Sequence, residues 1–157
     1  METVTIELKE WLGALREVTR VFAASSLRFD GSAPADAPAI LGPQPAAYIA
    51  VLGETSSIHL GISTTASGSR MLVRALLGMR QKEEIAEKDV VDGLSEILNI
   101  LAGKVKSRMS SRDRTLKLGL PMFIVGQIQM SASMERAVAD VSVGPVPCQL
   151  LVFRNRR

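Results

Sequence analysis

The sequence predicts a two-layer α+β fold, in which amphipathic helices pack on one face of a mostly antiparallel sheet. Three observations predict it. Apolar residues recur every three or four positions in three segments, which is helical periodicity. Five shorter β-rich runs are bounded by Gly, Pro, Ser and Asp, which is strand punctuation. The order helix, hairpin, two helices, three strands segregates the helices onto one side of one sheet. At 157 residues, 46% of them hydrophobic, the chain is long enough for one core and short for two, so a single domain over 1–157 is expected.

The elements follow in order. From Leu8 to Ala24 the residues Leu8, Trp11, Leu12, Leu15, Val18, Val21 and Phe22 form one helical stripe. Between Asp30 and Pro45, four prolines and two glycines forbid regular structure and predict an exposed connector. Tyr48–Glu54 and Ser57–Ser63 read as a β-hairpin, the second run alternating Ile58, Leu60 and Ile62 against Ser57, His59 and Gly61. Thr64 or Thr65 then caps a helix to about Leu77, with Gly78 as its stop. A long helix is expected from Lys82 to Met109, its acids Glu83, Glu84, Glu87 and Asp89 near the N-terminus and Lys104, Lys106 and Arg108 near the C-terminus, as the helix dipole favours. After a polar link at Ser110–Arg114, Pro121–Ile128, Glu135–Val143 and Cys148–Phe153 read as a three-stranded meander, with Gly144–Pro147 as its last turn.

Composition narrows the function. Aromatic residues are 4% of the chain, too few for a base-stacking surface, and no nucleic-acid partner is expected. The formal charge of +3 is local, arising partly from six basic residues between Lys104 and Lys117 that accompany one acid, Asp113. That run suits an acidic partner, or equally a helix end and a solvated loop. One Cys and one His exclude a disulfide framework and a zinc site. The acidic start Met1–Glu7 is unlike a secretory signal, and no run approaches the roughly 18 apolar residues of a spanning helix. A cytoplasmic protein with no membrane association is expected.

The obvious chemical groups are poorly placed. His59 has no partner nearby in sequence and lies on the polar side of its strand, and Cys148 sits inside an apolar strand where a thiol is inert. Ser67-Gly68-Ser69 is too poor in Gly for a phosphate loop and reads as a helix start. No ligand cluster for a metal of the chain's own is visible. The informative stretch is Asp92 to Lys106. At 100° per residue, Asp92, Glu96, Asn99, Gly103 and Lys106 share one narrow sector, and Leu94, Ile97, Leu98, Leu101 and Val105 fill the opposite one. Asn is a mediocre helix former and Gly costs about 1 kcal/mol against Ala. Asp92 and Glu96 point the same way from a convex surface, so they are no glycosidase-type pair. The face suits insertion into another molecule's cleft.

Asp92-x-x-x-Glu96-x-x-Asn99, followed by Gly103 and Lys106, resembles the signature of the CheX/CheC/FliY family of chemotaxis phosphatases. The hairpin Ile49–Gly53 and Ile58–Ser63, the helix Met71–Gly78 and the run Leu120–Gly126 resemble the family's elements in the same order, so the resemblance covers roughly residues 46 to 154. It implies a CheC/CheX-like fold, a homodimer and a phosphorylated CheY-type response regulator as substrate. It also implies Glu96 and Asn99 as catalytic residues, Asp92, Gly103 and Lys106 as partner-binding ones, and a magnesium ion held by the regulator rather than by this chain. Some CheC relatives carry two E-x-x-N helices; here Glu17 is followed three later by Arg20, so a single site is expected, as in CheX. A noncatalytic CheX-like adaptor, binding a signalling or flagellar-switch protein, is the alternative.

Overall fold

Trp11, Leu15, Val18 and Phe22 lie on one side of the first helix and are buried. The same demand to bury a stripe organises the whole chain. The structure, a computed structural model, describes residues 5–29, 44–54, 57–126 and 131–155. Its elements are α1 (Leu8–Ser25), β1 (Gln44–Leu52), β2 (Ser57–Thr64), α2 (Ala66–Leu76), α3 (Glu87–Met109), β3 (Lys117–Leu118), β4 (Met122–Gly126), β5 (Met134–Val143) and β6 (Val146–Asn155). All strand pairs are antiparallel, in the order β3-β1-β2-β6-β5, with β4 also on β1. The three helices cover one sheet face, and the core lies between the layers. This is the expected two-layer α+β architecture. The opposite face carries a smaller apolar cluster of Ala46, Tyr48, Leu151 and Phe153.

Several boundaries differ from expectation, each for a local reason. β1 begins at Gln44, inside the expected connector, because Pro45 near a strand's start costs no needed ladder donor. Its carbonyl accepts from the Ser63 hydroxyl at 3.0 Å. The connector's other residues, 30–43, lie outside the described residues. The long helix starts at Glu87 rather than Lys82, because Glu83 serves a turn instead. The Glu83 carboxylate accepts from the Arg80 N–H, and its carbonyl accepts from Arg74 Nε.

At α2 the reading holds closely. The Thr65 hydroxyl accepts from the Gly68 N–H at 2.9 Å, and Gly78 adopts φ +69° to end the helix, a conformation that suits Gly. The closing strands are not a meander. β4 forms, but it pairs with β1 across Gln44–Tyr48, while β3 pairs with Val51 and Leu52 of the same strand. Both satisfy the edge of β1 that faces away from β2. The expected end of that strand, 127–128, lies outside the described residues. The last turn shortens to Gly144-Pro145.

The order of elements hides an internal two-fold. The central pair β2–β6 is antiparallel, the hairpins β1–β2 and β5–β6 flank it, and α3 lies against β1 as α1 lies against β5 and β6. Leu8 opens α1 and Glu87 opens α3. The same offset of 79 residues carries Trp11 onto Val90, Leu15 onto Leu94, Val18 onto Ile97, Thr19 onto Leu98, Phe22 onto Leu101 and Ala23 onto Ala102, and every one of these is buried. Two helices of different sequence thus present equivalent faces to one sheet.

Candidate functional site on helix α3

Burial of Leu94, Ile97, Leu98, Leu101 and Val105 fixes the rotation of α3 about its axis. The opposite sector must then face out. Asp92 and Glu96 are exposed, and Asn99, Gly103 and Lys106 are half-buried along the same face. All five residues are brought together on one convex surface. Among the described residues, neither Glu96 nor Asn99 has a side-chain hydrogen bond, and Asp92, Glu96 and Lys106 have no ion pair. A carboxylate and an amide one turn apart therefore stand ready to bind groups from outside.

The two glycines of α3 serve different ends. A Cβ on Gly93 would lie 2.3 Å from Val73 Cγ1, so Gly93 lets α2 cross close over α3. A Cβ on Gly103 would meet nothing nearer than Leu118 Cδ1 at 4.0 Å, which is ordinary contact. The fold needs the first glycine and not the second. Nothing in the sequence around Gly93 announces its role, because its reason lies on another helix.

At the offset that relates the helices, Glu17 corresponds to Glu96 and Arg20 to Asn99. There the face is closed on itself. Arg20 donates through Nε to Glu17 Oε2 at 3.1 Å and through Nη2 to Oε1 at 2.5 Å. That hydrogen bond holds the Glu17 carboxyl below its usual range. Beside this pair, α1 and α3 leave a groove of about 530 Å³, lined by Val18, Val21, Ile100, Gly103, Lys104, Ser107 and Arg108.

The remaining candidates are structural. His59 stacks on Phe153, ring centroids 4.9 Å apart, on the sheet face away from the helices, and burial lowers its pKa. Cys148 is buried, and burial pushes its thiol up to about 12. Ser67-Gly68-Ser69 opens α2, as expected. Of the basic run, Arg112 is bound to Glu10, and Lys106 and Arg108 occupy the last turn of α3. Asp113 accepts from the Thr115 N–H and hydroxyl and so shapes the link that follows. No three His, Cys, Asp or Glu side chains among the described residues form a metal-ligand set. No helix among them is long and apolar enough to cross a membrane.

No curated protein matches the sequence significantly. Solved structures do match the fold. CheX from Vibrio vulnificus superposes with a TM-score of 0.74 at 12% identity, covering 96% of this chain and all of that one. A CheC-like superfamily protein from Shewanella sp. PV-4 gives 0.71 at 16% identity, covering 93% and 98%. A chain in the CheX–CheY–BeF3–Mg complex from Borrelia burgdorferi gives 0.67 at 16% identity, covering 98% and 100%. At these identities the likeness is one of fold. A family model, chemotaxis phosphatase CheX, matches residues 45–141, which span β1 through most of β5 and include the whole polar face of α3. By that match over more than half its length, the chain belongs to the CheX family.

Proposed function

We propose that this chain hydrolyses the aspartyl phosphate of a CheY-type response regulator, and that the outward face of α3 enters the regulator's phosphorylated cleft. The carrying observation is that Glu96 and Asn99, one helical turn apart, are both outward-facing and, among the described residues, unpartnered on a helix inside the family match. The complex of a CheX with CheY, BeF3 and magnesium, to which this fold is similar, supports the partner class.

An aspartyl phosphate is an activated acyl phosphate, so the phosphatase need only place water in line with phosphorus. Water attacks phosphorus, the bond to the aspartyl oxygen breaks, and inorganic phosphate leaves with the carboxylate regenerated. Asn99 orients that water: its amide both donates and accepts, does not titrate, and adds no negative charge beside the phosphoryl group. Glu96 pairs with the regulator's active-site lysine. Gly103 gives the partner's backbone clearance, and Asp92 and Lys106 flank the contact. Magnesium is held by the regulator. The chain works in the cytosol as a homodimer, with a sheet edge as its seam; Leu120, 87% exposed ahead of β4, and the exposed Met122 and Val125 support that edge.

The test is phosphate release from a phosphorylated cognate regulator. Asn99→Ala should bind the regulator but lose at least a hundredfold in rate, the scale of a lost positioned catalytic group. Glu96→Ala should weaken productive docking as well. Wild-type turnover by Asn99→Ala rules out the water-orienting role. Binding by the wild-type chain without any hydrolysis establishes the adaptor instead.

A further inference from the structure

The groove between α1 and α3 begins where the Asn99 face ends, and the two share Gly103. Its floor is apolar, from Val18, Val21, Ile100 and Gly103, and Val21 remains 38% exposed. Its rim is Lys104, Ser107 and Arg108. Neither cation has an ion-pair partner within 4.0 Å among the described residues. The acid that feels Arg108 electrostatically is Glu17, which Arg20 already binds twice. The rim is thus positive and, among the described residues, without an ion pair, over an apolar floor.

We propose that this groove is a second docking element for the same phosphorylated regulator, seating one apolar side chain from the border of the regulator's cleft while Lys104 and Arg108 face its carboxylates. The inference rests on the function proposed above. Size brings the groove within reach. A standard interface takes roughly 800 Å² from each partner, a patch of roughly 16 Å radius. Along α3, Arg108 lies nine residues and so about 14 Å from Asn99, although half a turn round the axis. A regulator centred on Asn99 therefore reaches the groove across Gly103, which the face and the groove share. Charge selects the same occupant, because a cleft that holds a phosphoryl group and a magnesium ion is built from carboxylates. A second copy of this chain is disfavoured: in a two-fold contact the patch meets itself, cation against cation.

The full chain is tested against CheY-type receiver domains from the genome that encodes it, each activated with beryllofluoride and magnesium. Val21→Asp, and Lys104→Glu combined with Arg108→Glu, are compared with wild type for binding, for kcat and KM of phosphate release, and for helical content. All three positions face solvent, so the variants are expected to fold. Each should raise Kd and KM at least tenfold and leave kcat within twofold, and the charge reversal should flatten the salt dependence of association. Kd within twofold of wild type in both folded variants overturns the proposal, as does a change in solution mass with regulator binding intact. Weakened binding by these variants while Asn99→Ala keeps its full rate leaves the groove standing and removes the water role. Loss of rate by Asn99→Ala with wild-type binding by the groove variants does the reverse. If the wild-type chain binds no receiver, both readings fall.

Discussion

Replacing each α3 glycine by alanine separates what the fold requires from what the partner requires. In a helix interior Ala is favoured over Gly by about 1 kcal/mol, so that gain is common to both variants. At Gly103 nothing offsets it, since the new methyl meets only Leu118 Cδ1 at 4.0 Å. Gly103→Ala should therefore be stabilised by about 1 kcal/mol, or about 2–4 °C in Tm for a chain of this size. At Gly93 the methyl would lie 2.3 Å from Val73 Cγ1, 2.8 Å from Cγ2 and 3.1 Å from Cβ. Val73 is fully buried, and a β-branched side chain in a helix has essentially one rotamer, so α2 and α3 must part. Overpacking of this kind costs about 1–3 kcal/mol, more than the propensity gain in most of that range. Gly93→Ala should lose up to about 2 kcal/mol. Thermal and denaturant melts read both effects, and phosphate release reads the second half of the argument: Gly103→Ala should be the more stable protein and the poorer phosphatase. A destabilised Gly103→Ala would mean that the fold itself uses that glycine, and one with wild-type activity would refute the clearance role.

Two further outcomes concern the titratable groups. His59 has its pKa lowered from 6.5 by burial, so the unfolded chain takes up a proton first as pH falls. Stability should be indifferent to His59 above about pH 6.5, fall below it, and level off once the folded pKa is passed. His59→Gln should flatten that part of a pH series of denaturant melts, and an unchanged slope would assign it to other groups. Cys148, buried and with its thiol near 12, should resist iodoacetamide at pH 8 in the native state and react on unfolding. Labelling faster than global unfolding would contradict its placement.

The polar face of α3 was legible in the sequence because its signal is local: helical phase alone separates Asp92, Glu96, Asn99, Gly103 and Lys106 from the buried leucines and isoleucines. The pairing of β4 was not. Met122–Gly126 reads as a strand from its own residues, but its partner is Gln44–Tyr48, and no turn connects the two to announce the register. The early start expected for the long helix failed for a related reason. Glu83 carries the right charge for a helix N-terminus, yet Arg74 and Arg80 use it to fold a turn. Gly93 was invisible because a glycine in a helix looks alike whether it admits a neighbouring helix or an outside partner. Only Val73 distinguishes them.

The two-fold relation explains why one helix face is open and the other is not. α1 and α3 bury matching positions while their residue types diverge, as Trp11 and Val90 or Thr19 and Leu98 show, so the repeat is written in burial rather than in identity. On the outward side, Glu17 and Glu96 are the same residue at the same place. What differs is the partner three positions on. An arginine reaches back and forms a two-point hydrogen-bonded pair with Glu17, satisfying the carboxylate within its own helix. Asparagine carries no charge to hold Glu96, and among the described residues the two side chains stay unpaired. The fold therefore offers two equivalent surfaces, and a single residue, Arg20 against Asn99, decides which of them is left with unsatisfied groups to offer a partner. The closed surface also bears on the groove beside the open one, because Arg20 engages Glu17 at two points and Arg108 at the rim is left without an ion pair among the described residues.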